Sequence, residues 1–195
     1  GLDGEMTGGG RDPAKRPGYM FYQLVQIGAA FRDDVGEYSL FSSDIGYDEW
    51  DEEPEAMAVH GMTKERILAA PRAQVVDAKL QQWFEQQGIR KAVPVGWGVS
   101  GFDMPYARRY LPEASRFLSM RSVYLTGVAF TIAEIAGHSF NAVKGASKKY
   151  AERELRQRFS KQPSWHDAGY DAIAALMAWE YFKKILVVRE THDHL

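Results

Sequence analysis

Residues 20–31 form a run of aromatic and branched side chains, Met-Phe-Tyr-Gln-Leu-Val-Gln-Ile-Gly-Ala-Ala-Phe, which reads as a strand. Asp33-Asp34-Val35-Gly36 reads as a turn, and residues 37–41 as the strand coming back. Such a pair cannot hide its apolar face alone and needs other elements packed on it. The sequence downstream supplies them. Residues 71–88 carry Val75, Val76, Leu80, Trp83 and Phe84 at helical spacing and close on Gly88. Residues 91–97 read as a buried strand, 103–110 as a helix, 121–125 as a short strand and 128–136 as another helix. Residues 147–159 make a charged helix in a region ended by Pro163. Residues 167–188 make the last one, with Ile173, Leu176, Met177, Tyr181, Ile185 and Val188 in a single stripe. The 195 residues hold no repeat, low-complexity tract or linker, so the expectation is one α/β domain over 1–195.

Composition narrows the function. The chain is 45% hydrophobic and 26% charged, the balance of a globular protein rather than a disordered tail or a fibre. It has no cysteine, so disulfides and thiolate metal sites are excluded, and any metal must rest on carboxylates, imidazoles or water. No apolar run approaches the ~18–20 residues of a membrane helix. The Gly-rich, acidic start is no secretion signal, which leads to the expectation of a cytoplasmic protein. With 24 Lys and Arg against 26 Asp and Glu, the net charge is -2. A coat for long duplex nucleic acid would be basic; a short nucleic-acid end or a phosphorylated small molecule remains compatible.

Most of the 26 acidic residues belong to solvated surface, such as the loop 44–55 that carries Trp50. Four stand apart. Asp3 and Glu5 alternate with Gly4, so on an extended segment they share one face beside a Gly-rich turn. No apolar segment precedes them, so their strand is expected to be almost all missing, with the parent chain extending upstream. Asp103 follows the strand at 91–97 and opens a helix, where it could also serve as an N-cap. Asp171 lies in the first turn of the last helix, four residues after an expected cap at Asp167, where it could simply favour the helix dipole. Four carboxylates at element ends, converging in a mixed α/β sheet, suit two hard divalent cations.

Among the histidines, His166 lies five residues before Asp171. It reads as a cap or surface residue, or, near a metal, as a general base, since imidazole has an ordinary pKa of ~6.5. His138 reads as a helix C-cap, and His192 and His194 as a polar C-terminus. His60-Gly61-Met62-Thr63 is a turn leading into a helix capped by Thr63.

In order, Asp3-Gly4-Glu5-Met6-Thr7-Gly8, Val59-His60-Gly61-Met62-Thr63, Phe102-Asp103 and His166-x-Ala-x-x-Asp171-Ala172 resemble the three exonuclease motifs of the DEDDh 3′→5′ exonuclease superfamily. That group includes the proofreading subunit of bacterial replicative polymerase, oligoribonuclease and RNase T. The resemblance spans nearly the whole chain. It implies an RNase H-like fold with a mixed five-stranded sheet flanked by helices. It also implies that Asp3, Glu5, Asp103 and Asp171 hold two Mg²⁺ or Mn²⁺ ions, with His166 deprotonating the attacking water in a two-metal hydrolysis. Met6, Thr7, His60 and Met62 are then candidates to hold the terminal nucleotides, the two methionines against base faces, although core filling is a rival role for both. DNA or RNA 3′ ends are the implied partners, and a second copy or a polymerase or repair protein is a compatible one. The second motif departs from the family, with Trp97-Gly98 in place of a His-Asn pair. Against an exonuclease stand two other readings: a binding module that keeps the fold without the chemistry, and a phosphohydrolase of nucleotides.

Overall fold

The structure, a computed structural model, describes residues 1–8, 22–159 and 166–190, with side chains in the last helix through residue 186. Trp165, Pro163, His192, His194 and the start of the run at 20–31 lie outside the described residues. Three antiparallel strands form the main sheet in the order β1 (Leu2–Met6), β2 (Leu24–Arg32), β3 (Tyr38–Asp44). The expected turn joins β2 to β3: Asp33 Oδ1 accepts the Glu37 N–H at 2.8 Å, and Gly36 takes a φ of 94°, which a side chain would resist. β2 is buried along its first seven residues, the reason it reads as a continuous apolar run rather than an alternating one.

The first strand, expected to be nearly lost, is formed, and all five of its residues pair with β2. The five-stranded sheet is not. β4 (Val95–Gly96) and β5 (Val123–Tyr124) pair with each other in a separate parallel ribbon. The cause lies at the outer edge of β1. There the Gly4 N–H donates to the Asp103 carboxylate and the Met6 carbonyl meets His60 Nε2 at 3.2 Å, so side chains take the bonds a neighbouring strand would need. β4 still passes close enough that a Cβ on Gly96 would come within 2.8 Å of the Leu2 carbonyl oxygen. The strand expected over 91–97 shrinks for a related reason. Pro94 has no N–H to give, and its carbonyl accepts from Val123.

Eight helices complete the fold among the described residues: α1 (Pro54–His60), α2 (Lys64–Ala69), α3 (Ala73–Gln86), α4 (Asp103–Tyr110), α5 (Pro112–Ser115), α6 (Leu125–Ala136), α7 (Phe140–Phe159) and α8 (Ala168–Glu190). α3 buries Val76, Leu80 and Phe84 against the sheet and leaves Val75 exposed. α7 begins before the expected 147, because Phe140 and Val143 pack on α6 and α8. The single stripe expected on the last helix is too narrow a reading. α8 buries Ala168, Tyr170, Ala172, Ile173, Ala174, Ala175, Met177, Ala178 and Phe182, with the sheet on one side and α6 and α7 on others. Each large apolar side chain buried there contributes ~1.5–3 kcal/mol. The small ones permit close approach. At Gly28 on β2 a Cβ would fall 1.9 Å from the Ala168 carbonyl oxygen, and at Gly169 it would fall 2.8 Å from Ser42 Cβ. The first turn of α8 therefore lies directly on β2 and β3. No helix among the described residues is long and apolar enough to cross a membrane.

Candidate active site

β1 lies between β2 and the start of α4, with the start of α8 packed on it. Gly1 and Ala30 exchange both backbone hydrogen bonds. By the two-residue period of an antiparallel ladder, Asp3 and Glu5 also face β2 with their backbones, and Gly4 turns its N–H outward. Asp103 is there to receive it. Its expected N-cap role is not realised: Phe102 occupies the N-cap, and Asp103 is the first helical residue, its carboxylate turned to β1 instead. Asp167 does cap α8, Oδ1 accepting the Tyr170 N–H at 3.0 Å. Asp171, one turn in, receives the His166 N–H on Oδ2 at 2.9 Å. His166 sits at φ 67°, a left-handed conformation that side chains resist, so the turn before α8 is held in a strained shape that aims this residue.

The site therefore gathers Asp3 and Glu5 from β1, Asp103 from α4, and His166 and Asp171 from the start of α8. One donor atom each from Glu5, His166 and Asp171 lie within 4.8 Å of one another. Asp103 is 4% exposed, and Asp103 Oδ2 and Asp171 Oδ1 are buried without a hydrogen-bond donor. Two orphaned carboxylate oxygens are costly unless something positive meets them. The donors are hard oxygens with one imidazole, a set that fits Mg²⁺ or Mn²⁺. The electrostatics agree. Burial first, then the charge of Asp103, Asp171 and Glu5, lifts the Asp3 carboxyl well above the usual range. Burial and the neighbouring Asp171 and Asp103 push Glu5 up to about 8. Burial pushes Asp103 up to about 7 against the help of the Gly4 N–H, and raises Asp171 as well. Asp167, read from the sequence only as a cap, adds its charge to Asp3, Glu5 and Asp171.

The residues expected at the nucleotide side divide. Thr7 is fully buried and spends its hydroxyl on Gln23, accepting the backbone N–H at 3.0 Å. His60 Nδ1 accepts the Met62 N–H at 3.1 Å, which puts the ring proton on Nε2, donated to Met6. Burial lowers the His60 pKa, in keeping with a neutral ring that struts the turn against β1. The core-filling role is the one supported for Met62. It is 4% exposed and packs with Val25 and Ile67, so core filling, not a base face, is its place here. Met6 remains partly exposed at the end of β1. Trp50 packs against that same small core and donates to Glu52.

At the Trp97-Gly98 departure, Thr126 Oγ1 donates to the Trp97 carbonyl at 2.9 Å. The Gly98 carbonyl accepts from Gly101 and Phe102, so backbone turns brace the approach to Asp103. Sequence reasoning missed Gln26, a buried polar side chain in the apolar β2 run whose Oε1 accepts the Ala168 N–H at 2.7 Å. Its polarity inside that run was the available signal.

No protein-family model matches the sequence, and no curated protein matches it. Solved structures do match by shape. One is Exonuclease I of E. coli in complex with a dT13 oligonucleotide, at TM-score 0.58 and 17% identity. Another is the cell-death related nuclease CRN-4, at 0.58 and 14%. A third is the nuclease domain of 3′hExo, a DEDDh family member bound to rAMP, at 0.58 and 12%. The matches cover 92%, 95% and 94% of this chain. The chain spans 39% of Exonuclease I, 62% of CRN-4 and 90% of the 3′hExo domain. Its fold is thus that of these nucleases, shared over at least 92% of the chain.

Proposed function

We propose that the chain is a metal-dependent 3′→5′ exonuclease that removes nucleoside 5′-monophosphates from single-stranded or short nucleic acid. The carrying observation is the convergence of Asp3, Glu5, Asp103 and Asp171 with two buried, donorless carboxylate oxygens beside His166. The shared fold with nucleases supports the reading. Asp3, Glu5, Asp103 and Asp171 would hold two divalent cations, Mg²⁺ or Mn²⁺, which supply Lewis acidity and offset the charge that phosphodiester hydrolysis builds up. His166 is exposed at the mouth, with its backbone tied to Asp171, so its ring can take a proton from an attacking water. Glu5 and Asp171 each bring a carboxylate oxygen within 4.8 Å of a nitrogen of that ring. Met6 and His60 would meet the terminal nucleotides, with a base face resting on Met6 without regard to its identity. Near-neutral overall charge favours an end over a long duplex.

Chromatography of the products separates this reading from its rivals. Oligonucleotide incubated with Mn²⁺ should yield nucleoside 5′-monophosphates, and Asp103→Asn should yield none. Turnover of cyclic nucleotides or nucleoside phosphates with oligomers left intact would instead make the protein a nucleotide phosphohydrolase. Tight oligonucleotide binding with no product would make it a binding module.

A further inference from the structure

The first turn of α8 is held from the far side by a polar chain that starts on α2. Arg66 forks onto Asp44 at the end of β3, Nε to Oδ2 at 2.6 Å and a terminal nitrogen to Oδ1 at 2.8 Å. Asp44 Oδ1 accepts Gln26 Nε2 from β2 at 2.9 Å. Gln26, 3% exposed, then accepts the Ala168 N–H, and its Nε2 also lies 3.5 Å from Asp167 Oδ2. A glutamine amide has one donating and one accepting end, and its partners decide which way round it lies. Asp44 can only accept, so it claims the NH₂ and turns the oxygen to Ala168. If the amide flipped, an NH₂ would face the buried Ala168 N–H and an oxygen would face a carboxylate. Arg66 holds Asp44 in place through both carboxylate oxygens; bidentate guanidinium–carboxylate pairs are stiff.

We propose that Arg66, Asp44 and Gln26 form a positioning relay that fixes the α8 entry turn, and through it the left-handed backbone of His166. The turn needs such support because His166 sits at φ 67°. The relay rests on the exonuclease reading only for its effect on rate; its structural effect stands apart from it. Arg66 is about half exposed and lies on a short helix capped by Thr63, so its removal leaves the core intact. Two readouts test the relay on Arg66→Ala, Arg66→Lys and Gln26→Leu.

Hydrogen exchange of the backbone N–H groups at 167–171 should quicken in Arg66→Ala and Gln26→Leu, while exchange later in α8 stays as in the wild type. This result does not depend on turnover. Unchanged exchange at 167–171 overturns the relay, whether or not the protein cuts nucleic acid. In Mn²⁺-dependent cleavage of a labelled oligonucleotide, Arg66→Ala should lose roughly tenfold in kcat with KM nearly unchanged. Arg66→Lys or added guanidinium ion should restore part of the loss. A raised KM at unchanged kcat would make Arg66 a substrate contact and overturn the proposal. No wild-type cleavage at all, with exchange behaving as expected, would count against the exonuclease reading and leave the relay standing.

Discussion

Four carboxylates packed around one point, without cations, should make the metal-free protein less stable as pH rises. A carboxylate whose folded pKa is raised binds its proton more tightly in the folded state, so it adds stability at low pH. That stability drains away as pH climbs through the folded pKa. For Glu5, lifted from 4.5 to about 8, the loss between pH 6 and pH 8 comes to about 2 kcal/mol. For Asp103, lifted from 3.8 to about 7, it comes to about 1 kcal/mol over the same window. Discounting for the partial exposure of Glu5 leaves roughly 2–3 kcal/mol in all. In a protein of this size that lowers Tm by roughly 5–10 °C. The assay is a thermal melt in EDTA at pH 6 and pH 8, repeated with Mn²⁺. The melting temperature in EDTA should fall by that amount at the higher pH. Mn²⁺ should raise it at both pH values, and more at pH 8, because cations take the place of the lost protons. Glu5→Gln should flatten much of the pH dependence in EDTA. Equal melting at the two pH values in EDTA would refute the reasoning, since the carboxylates would then not be crowded in the way described.

Other outcomes follow from single contacts. Asp103→Asn keeps an oxygen for the Gly4 N–H but loses the charge, so it should cost at least roughly 100-fold in oligonucleotide turnover with the fold retained, checked by kinetics and melting together. His166→Gly should lose turnover yet stay within about 1 kcal/mol of wild-type stability, because glycine accepts a φ of 67° without strain; a collapse in urea denaturation would contradict this. Gly28→Ala would set a Cβ 1.9 Å from the Ala168 carbonyl oxygen and push α8 off the sheet, so it should cost at least ~2 kcal/mol in the same denaturation. Met62→Ala should behave as a core truncation of about 2–4 kcal/mol with little change in KM, as its buried place predicts.

Local signals were readable in the sequence and distant ones were not. The β2–β3 turn, the Thr63 cap and the Asp167 cap are set within a few residues by side chains that bond their own backbone, so pattern finds them. Asp3, Glu5, Asp103, His166 and Asp171 were legible as a set because their motifs stand in order along the chain. The fate of Asp103 was not: its partner, Gly4, stands 99 residues earlier in the sequence, and a residue opening a helix looks the same whether it caps that helix or turns to a strand. Met62 read equally as a contact or as core filling, because the residues that pack with it include Val25, which is distant in sequence. The split of the sheet depends on the edge bonds of β1 being taken by Asp103 and His60, a competition between elements that no local pattern records. Gln26 escaped for the same reason, since its three partners lie on β3 and α8.

The most direct test of the account is a denaturing-gel time course on 5′-labelled single-stranded RNA and DNA oligomers, with Mn²⁺ and with EDTA. A metal-dependent 3′→5′ exonuclease gives a ladder that shortens from the 3′ end with Mn²⁺, none with EDTA, and none in Asp103→Asn, with the faster substrate naming the preferred sugar. Intact oligomers of both kinds in Mn²⁺, from protein whose melting shifts on adding the metal, would contradict it.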